Sequence, residues 1–200
     1  MREEIETGFR LNLQRVRKLV QLYRDLAGSG PGRRPVETTD VLRSSVVFLH
    51  AALEDFLRSL LVRRWSGASD PSVFDDVPIA IRADTRSTRV TLAELASMRG
   101  KTVDEVVQLS LEAHLERATF NHVGDVKTAL VRAGIGVAAV APRASELAAL
   151  MSRRHQIVHR ADRLDVPGRG KLAAASLSVA TVEVWVAAVD AVCRGIVAEL

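Results

Sequence analysis

The segment Met151-Ser-Arg-Arg-His-Gln-Ile-Val-His-Arg-Ala-Asp-Arg163 places two histidines and a run of arginines on one short stretch of chain. Arg154 is a residue type that grips phosphate oxygens, and His155 and His159 are residue types that exchange protons near neutral pH. Together they are the tools for breaking a phosphodiester without a metal. On a helix each residue turns by about 100°, so His155 and His159, four apart, share a face. Arg154 and His159, five apart, lie about 140° around the axis from one another. They converge on one phosphate only if the helix frays near His159 or a second copy of the chain contributes. A twofold dimer is the economical solution, because two His159 side chains then flank one phosphate, one as base and one as acid. The plainer reading is a solvated, arginine-rich helix end whose histidines only cap or pack.

His155-Gln-Ile-Val-His159 also has the frame of the zinc-protease motif His-Glu-x-x-His. Gln156 stands where the water-activating glutamate is required, and no third ligand is evident, so no metal is expected. No phosphate loop or glycine-rich nucleotide fingerprint occurs, and no cofactor is expected.

The elements that must carry this segment follow from apolar spacing. Ile5, Phe9, Leu13, Val16, Val20 and Tyr23 recur at three and four residues and predict a first helix over about 3–27, closed by the glycine-rich Gly28-Ser-Gly-Pro-Gly32. Thr38, Thr39 or Asp40 offers an N-cap for a second helix, with Leu42, Val46, Leu49, Leu53, Phe56 and Leu60 on one apolar face. His50, Glu54 and Arg58 form a polar row on that helix at i, i+4 and i+8, the pattern of a surface stripe with a salt bridge. From 66 to 89 the composition predicts loop with a short turn near Val73.

A helical insert at about 85–135 follows. Thr91-Leu-Ala-Glu94 and Thr102-Val-Asp-Glu105 both match the capping box and predict two helices, the second reaching about Arg117. A third, over about 125–132, should stop at Gly134. This region superficially looks like a ribbon-helix-helix DNA binder, in which a short strand containing Arg86 and Arg89 would precede two capped helices. Such a module needs its strand to pair in a dimer and enter the major groove, and Val90 is the only strongly strand-favouring core residue available.

Pro142 suits the first turn of the motif helix, with Leu147, Leu150, Met151, Ile157 and Val158 as its apolar contacts. From Leu172 onward a Val- and Ala-rich helix of nearly 30 residues is expected, too apolar to stand in water. Glu183, Asp190 and Arg194 argue against its entering a membrane. The predicted fold is all-α, a bundle of four long helices with the insert between the second and third, in one domain spanning 1–200. The start of the chain has no signal-peptide pattern, so a cytoplasmic protein with no membrane partner is expected. Cys193, the single cysteine, has Val192 and Ile196 as neighbours and reads as core filler. Between Arg153 and Lys171 six basic residues face Asp162 and Asp165, a local surplus equal to the +4 of the whole chain. Such a field attracts a polyanion such as RNA.

Arg154-His155-Gln-Ile-Val-His159, an arginine, a polar residue, three variable positions and a histidine, resembles the signature of HEPN domains. Val46-Val-Phe-Leu-His-Ala-Ala-Leu-Glu-Asp-Phe-Leu57 is similar to the second helix of the RiboL-PSP subfamily of that family, and helical inserts fit the same resemblance. The resemblance implies a homodimeric, metal-independent endoribonuclease in a toxin-antitoxin or antiviral setting, with an antitoxin as a further partner. His159 and Arg154 would be catalytic, and His155 would orient Arg154 or the phosphate. In the resembled family the second helix faces the motif helix, so Glu54 would hold an active-site arginine. Arg153 and Arg160 would grip the RNA backbone. The competing expectation is a non-catalytic RNA- or DNA-binding regulatory module built on the ribbon-helix-helix-like insert.

Overall fold

A computed structural model describes residues 2–28, 35–80, 90–163 and 175–200. Among these no strand forms; the chain is an all-α bundle. Its elements are α1 (Arg2–Ala27), α2 (Val36–Ser66), α3 (Leu92–Ala96), α4 (Val103–Arg117), α5 (Val123–Arg132), α6 (Ala144–Arg160) and α7 (Val179–Ala198). Single 3-10 turns occupy Pro71–Phe74 and Ala141–Arg143. The first of these lies where a turn near Val73 is expected.

Helix α1 buries Phe9, Leu13, Val16 and Val20, the stripe its spacing predicts, and closes at Gly28 with φ +62°. Helix α2 is more than one-faced. Besides the expected stripe it buries Ser45, His50, Ala52, Glu54, Leu57, Leu61 and Trp65. The reason is its place, since α1, α4, α5, α6 and α7 all pack on it. A helix enclosed on several sides keeps only a narrow solvent stripe, here Ser44, Phe48, Ala51, Asp55 and Ser59. Each leucine fully buried there contributes about 1.5–3 kcal/mol. The start of α2 also differs from expectation. Pro35 precedes its first turn and no side chain caps it. Thr39 and Asp40 lie inside the helix instead, where both accept hydrogen bonds from Arg43, at 2.8 and 2.9 Å.

Both capping boxes of the insert form. Thr91 Oγ1 accepts from the Glu94 amide at 3.3 Å while Glu94 Oε2 accepts from the Thr91 amide at 2.7 Å, and Thr102 and Glu105 repeat the arrangement at 3.2 and 2.6 Å. Helix α4 ends at Arg117 as predicted, whereas α5 starts two residues before Asp125. Asp125 occupies the third position of the helix and accepts from the His122 amide at 2.9 Å, so a box hidden in His-Val-Gly-Asp sets the start. Gly134, at φ +67°, closes the insert. Arg86 and Arg89, on which a ribbon-helix-helix strand depends, lie outside the described residues, and Val90 is not in a strand.

Pro142 sits in the 3-10 turn that leads into α6. Helix α7 starts later than expected. Leu172 lies outside the described residues, but 175–178 are not helical, and Ser178 Oγ accepts from the Thr181 amide at 3.1 Å to cap a helix of 20 residues. The charges on α7 tie it to α1, through Arg24 to Glu183 at 2.6 Å and Arg17 to Asp190 at 3.2 Å. Among the described residues no helix is long and apolar enough to cross a membrane. Cys193 is fully buried, as core filler should be, and burial pushes its thiol pKa well up.

Gly195 on α7 meets the 137–140 turn so closely that an added Cβ would lie 2.6 Å from the Ala139 Cβ. Replacing a helical glycine by alanine ordinarily gains about 1 kcal/mol. Overpacking of a fixed methyl against another costs about 1–3 kcal/mol, and Ala139 has no flexible atoms to yield. Gly195→Ala is therefore expected to lower the midpoint of thermal unfolding, and a rise would show that the turn gives way freely.

Candidate functional site

Helix α6 is anchored by Leu147, Leu150 and Met151, which are buried while Ser152, His155, Gln156, Val158 and His159 remain exposed. The helix stays regular through Arg160. His155 and His159 therefore come to the same face, their ring centroids 4.6 Å apart and the planes inclined at 44°. Arg154 turns away from that pair toward α2. It is half-buried, close enough to His50 for its charge to oppose protonation of that ring, and its Nε is buried without a hydrogen-bond partner. No carboxylate among the described residues pairs with it. Regular helix through His159 removes fraying as a way to bring Arg154 and His159 together in one chain.

The adjacent arginine has a different job. Arg153, expected on the RNA backbone, reaches Asp162 Oδ2 at 2.8 Å and the carbonyls of Ala175 and Ser176 at 2.9 and 3.0 Å. From α2, Arg43 Nε donates to the same Asp162 Oδ2 at 2.7 Å. Burial opposes the charge on Arg43, but its bonds to Asp162 and Asp40 outweigh that and raise its pKa. Asp162 itself is 1% exposed. Its backbone completes the knot: the amide donates to the Gln156 carbonyl at 3.1 Å, and the carbonyl accepts from Ala175 at 2.8 Å. Ala161 and Asp162 take left-handed φ values of +48° and +58°, which turn the chain sharply out of α6. Asp162 thus ends the motif helix and latches it to α2 and to the segment entering α7. In the sequence Asp162 reads only as a charge, and nothing marks Arg43. The one local signal was an aspartate just past a helix end, a residue type that tolerates the left-handed conformation.

The row His50, Glu54 and Arg58 is not a surface stripe. His50 and Glu54 are 1% and 8% exposed. His50 Nε2 lies 3.1 Å from the Phe120 carbonyl, Glu54 Oε1 accepts from the Phe120 amide at 3.1 Å, and Arg58 donates to the carbonyls of Leu115 and Ala118 at 3.0 and 2.9 Å. The row grips the backbone where α4 leaves for α5. Glu54 does hold an arginine, but it is Arg58, 3.4 Å away, rather than Arg154.

Burial lowers the His50 pKa below the ordinary 6.5; Glu54 works against this, while Arg154 and Arg58 reinforce it. The unfolded chain then takes the proton first, so the stabilisation is complete above about pH 6.5 and is lost as pH falls toward the native value. The unfolding free energy is expected to fall by up to about 1.4 kcal/mol per pH unit between pH 6.5 and 5.5. Thermal unfolding of His50→Gln, which keeps an N–H donor, should show a flatter slope over that range, and an unchanged slope would place the titration elsewhere.

Of the expected site residues, the fold brings His155 and His159 together, with exposed Arg160 at the last turn of the same helix and Arg154 at its inward edge. Arg153 and Glu54 are drawn off to Asp162 and to the insert. Part of the basic strip is internally neutralised by this, and Asp165, Arg169 and Lys171 lie outside the described residues. Among the described residues no three His, Cys, Asp or Glu side chains are grouped to hold a metal ion. Comparison with models of protein families, with curated proteins and with solved structures gives no match to this chain.

Proposed function

We propose that the chain is a HEPN-type, metal-independent endoribonuclease whose site is completed in a homodimer. The observation that carries this reading is Arg154: a half-buried guanidinium with no carboxylate partner among the described residues, next to an exposed pair of histidines in ring contact. An arginine left unmatched at the edge of a proton-exchanging pair suits an anion that arrives from outside. In the reaction His159 takes the proton of the ribose 2'-OH, and that oxygen attacks the adjacent phosphorus. Arg154 stabilises the charge on the phosphorane. The P–O5' bond breaks, the partner copy's histidine returns a proton to the departing 5' oxygen, and a 2',3'-cyclic phosphate remains. His155 steadies the His159 ring, and Arg160 lies where the RNA backbone would pass. The toxin-antitoxin or antiviral setting and an antitoxin partner belong to the same reading.

Regular helix through His159 supports the composite arrangement, since Arg154 and His159 stand about 140° apart on one helix. Val158, 48% exposed beside His159, supplies apolar surface for a second copy to cover. Sedimentation at tens of micromolar is expected to give a dimer, and RNA but not DNA of the same sequence should be cut. A strict monomer that cleaves RNA would contradict the composite site.

A further inference from the structure

Residues 71–79 and helices α3 and α4 enclose a groove of about 430 Å³. Val77, Val106, Val107 and Leu111 line it, and Leu95 and Val103, 55% and 78% exposed, also border it. Helix α3 has five residues and buries none of them, and its Leu92 is 81% exposed. A helix of one turn gains little from its own hydrogen bonds, because nucleation costs more than so few bonds return. An element this short that leaves two leucines in water lacks the packing that normally sustains a helix. Contiguous exposed apolar surface of this kind marks an interaction site.

Charge indicates what covers it. Among the described residues, the two charged ones that line the groove, Arg99 and Lys101, are both basic and flank Gly100, whose φ of +87° makes the turn between α3 and α4. The N-terminus of α4 adds positive potential at the same end. No carboxylate among the described residues lines the groove; of those on the same elements, Glu94 and Glu105 are engaged by their own capping boxes, hydrogen bonds from Thr102 lower the Glu105 pKa, and Asp76 faces Arg132 at 3.6 Å. A second copy of this chain is disfavoured as occupant, because a twofold contact would bring Arg99 and Lys101 against themselves.

We propose that this groove docks one amphipathic helix of a protein partner, with apolar residues at i, i+3 or i+4 and i+7 against Val106 and Val107, and with Asp or Glu along the edge that meets Arg99 and Lys101. The proposal does not depend on the ribonuclease reading, because none of these residues belongs to that site.

A display library of helical 18-residue peptides, selected on the full chain, tests it. Enriched peptides should carry an apolar stripe with acidic flanks. Their affinity should fall at least tenfold on Leu95→Asp, and also on the charge reversal Arg99→Glu with Lys101→Glu. Leu95 and Val103 are exposed, so folding of Leu95→Asp and Val103→Asp, checked by circular dichroism, should survive. The proposal is overturned if no peptide is enriched, if enriched peptides have basic flanks, or if they bind folded Leu95→Asp as well as the parent. A change of oligomeric state in Leu95→Asp would likewise overturn it by assigning the groove to self-association.

Discussion

His159→Ala is expected to cut RNA at least about 10²-fold, and up to about 10⁴-fold, more slowly than the parent chain, the range that a positioned acid-base group contributes. Folding should be unaffected, because the His159 side chain is exposed. Arg154→Lys should also be severely impaired, since lysine keeps the charge but not the planar fork that grips two phosphate oxygens. Arg153→Lys should behave differently. It weakens the tie to Asp162, so its loss should appear first as lower thermal stability. Arg10→Ala, on the outside of α1, should leave cleavage at the parent rate. The assay is the initial rate on a mixed RNA at matched dimer content. Parent activity in His159→Ala would remove the histidine from the chemistry.

The second large effect concerns Asp162. Its carboxylate is fully buried between Arg43 and Arg153, themselves only 11% and 14% exposed. Removing one member of such a group leaves buried charge uncompensated, and breaking a buried pair in this way costs about 3–5 kcal/mol. Here Asp162→Ala removes the carboxylate that the two buried guanidinium groups share, leaving Arg43 only the exposed Asp40 as a carboxylate partner and Arg153 only backbone carbonyls, and also places a β-carbon without a polar handle at φ +58°. For a chain of this size each kcal/mol moves the unfolding midpoint by about 2–4 °C, so a drop of roughly 6–20 °C is expected. Asp162→Asn keeps the tolerance for the left-handed conformation and one acceptor oxygen, and should fall between the two. Replacing Asp162, Arg43 and Arg153 together by apolar residues should cost less than Asp162→Ala alone. A midpoint within a degree of the parent in Asp162→Ala would show that the latch does not hold the exit of α6.

These two residues illustrate how far the sequence can be read. His155 and His159 share a face because their spacing is local, and the capping boxes at Thr91 and Thr102 are local too; both were legible. The partner of Asp162 was not, because Arg43 lies on another helix, 119 residues away in sequence. Neighbouring residues on a helix point about 100° apart, so one of Arg153 and Arg154 had to turn from the other's direction. Which one meets a carboxylate depends on the path of the chain after Arg160, which the left-handed pair Ala161 and Asp162 decides. The one-faced pattern expected of α2 failed for a related reason. Periodicity reports a buried stripe, and it does not tell how many neighbours surround the helix. His50 and Glu54 are buried because the α4–α5 connection folds over them and offers its backbone as partner. Helix α7 starts at its local N-cap, Ser178, and the Ala175 and Ser176 carbonyls just before it are taken by Arg153.

Metal-free cleavage of RNA by Arg154 and the histidine pair is the core of the proposed function. It is tested most directly by incubating the purified parent chain with RNA in excess EDTA and identifying the new 3' ends. Cleavage that EDTA does not slow is expected, with 2',3'-cyclic phosphate on the upstream fragment and no such product from His159→Ala. Intact RNA in the presence of folded, dimeric protein would contradict it, as would 3'-hydroxyl ends that appear only when a divalent metal is supplied.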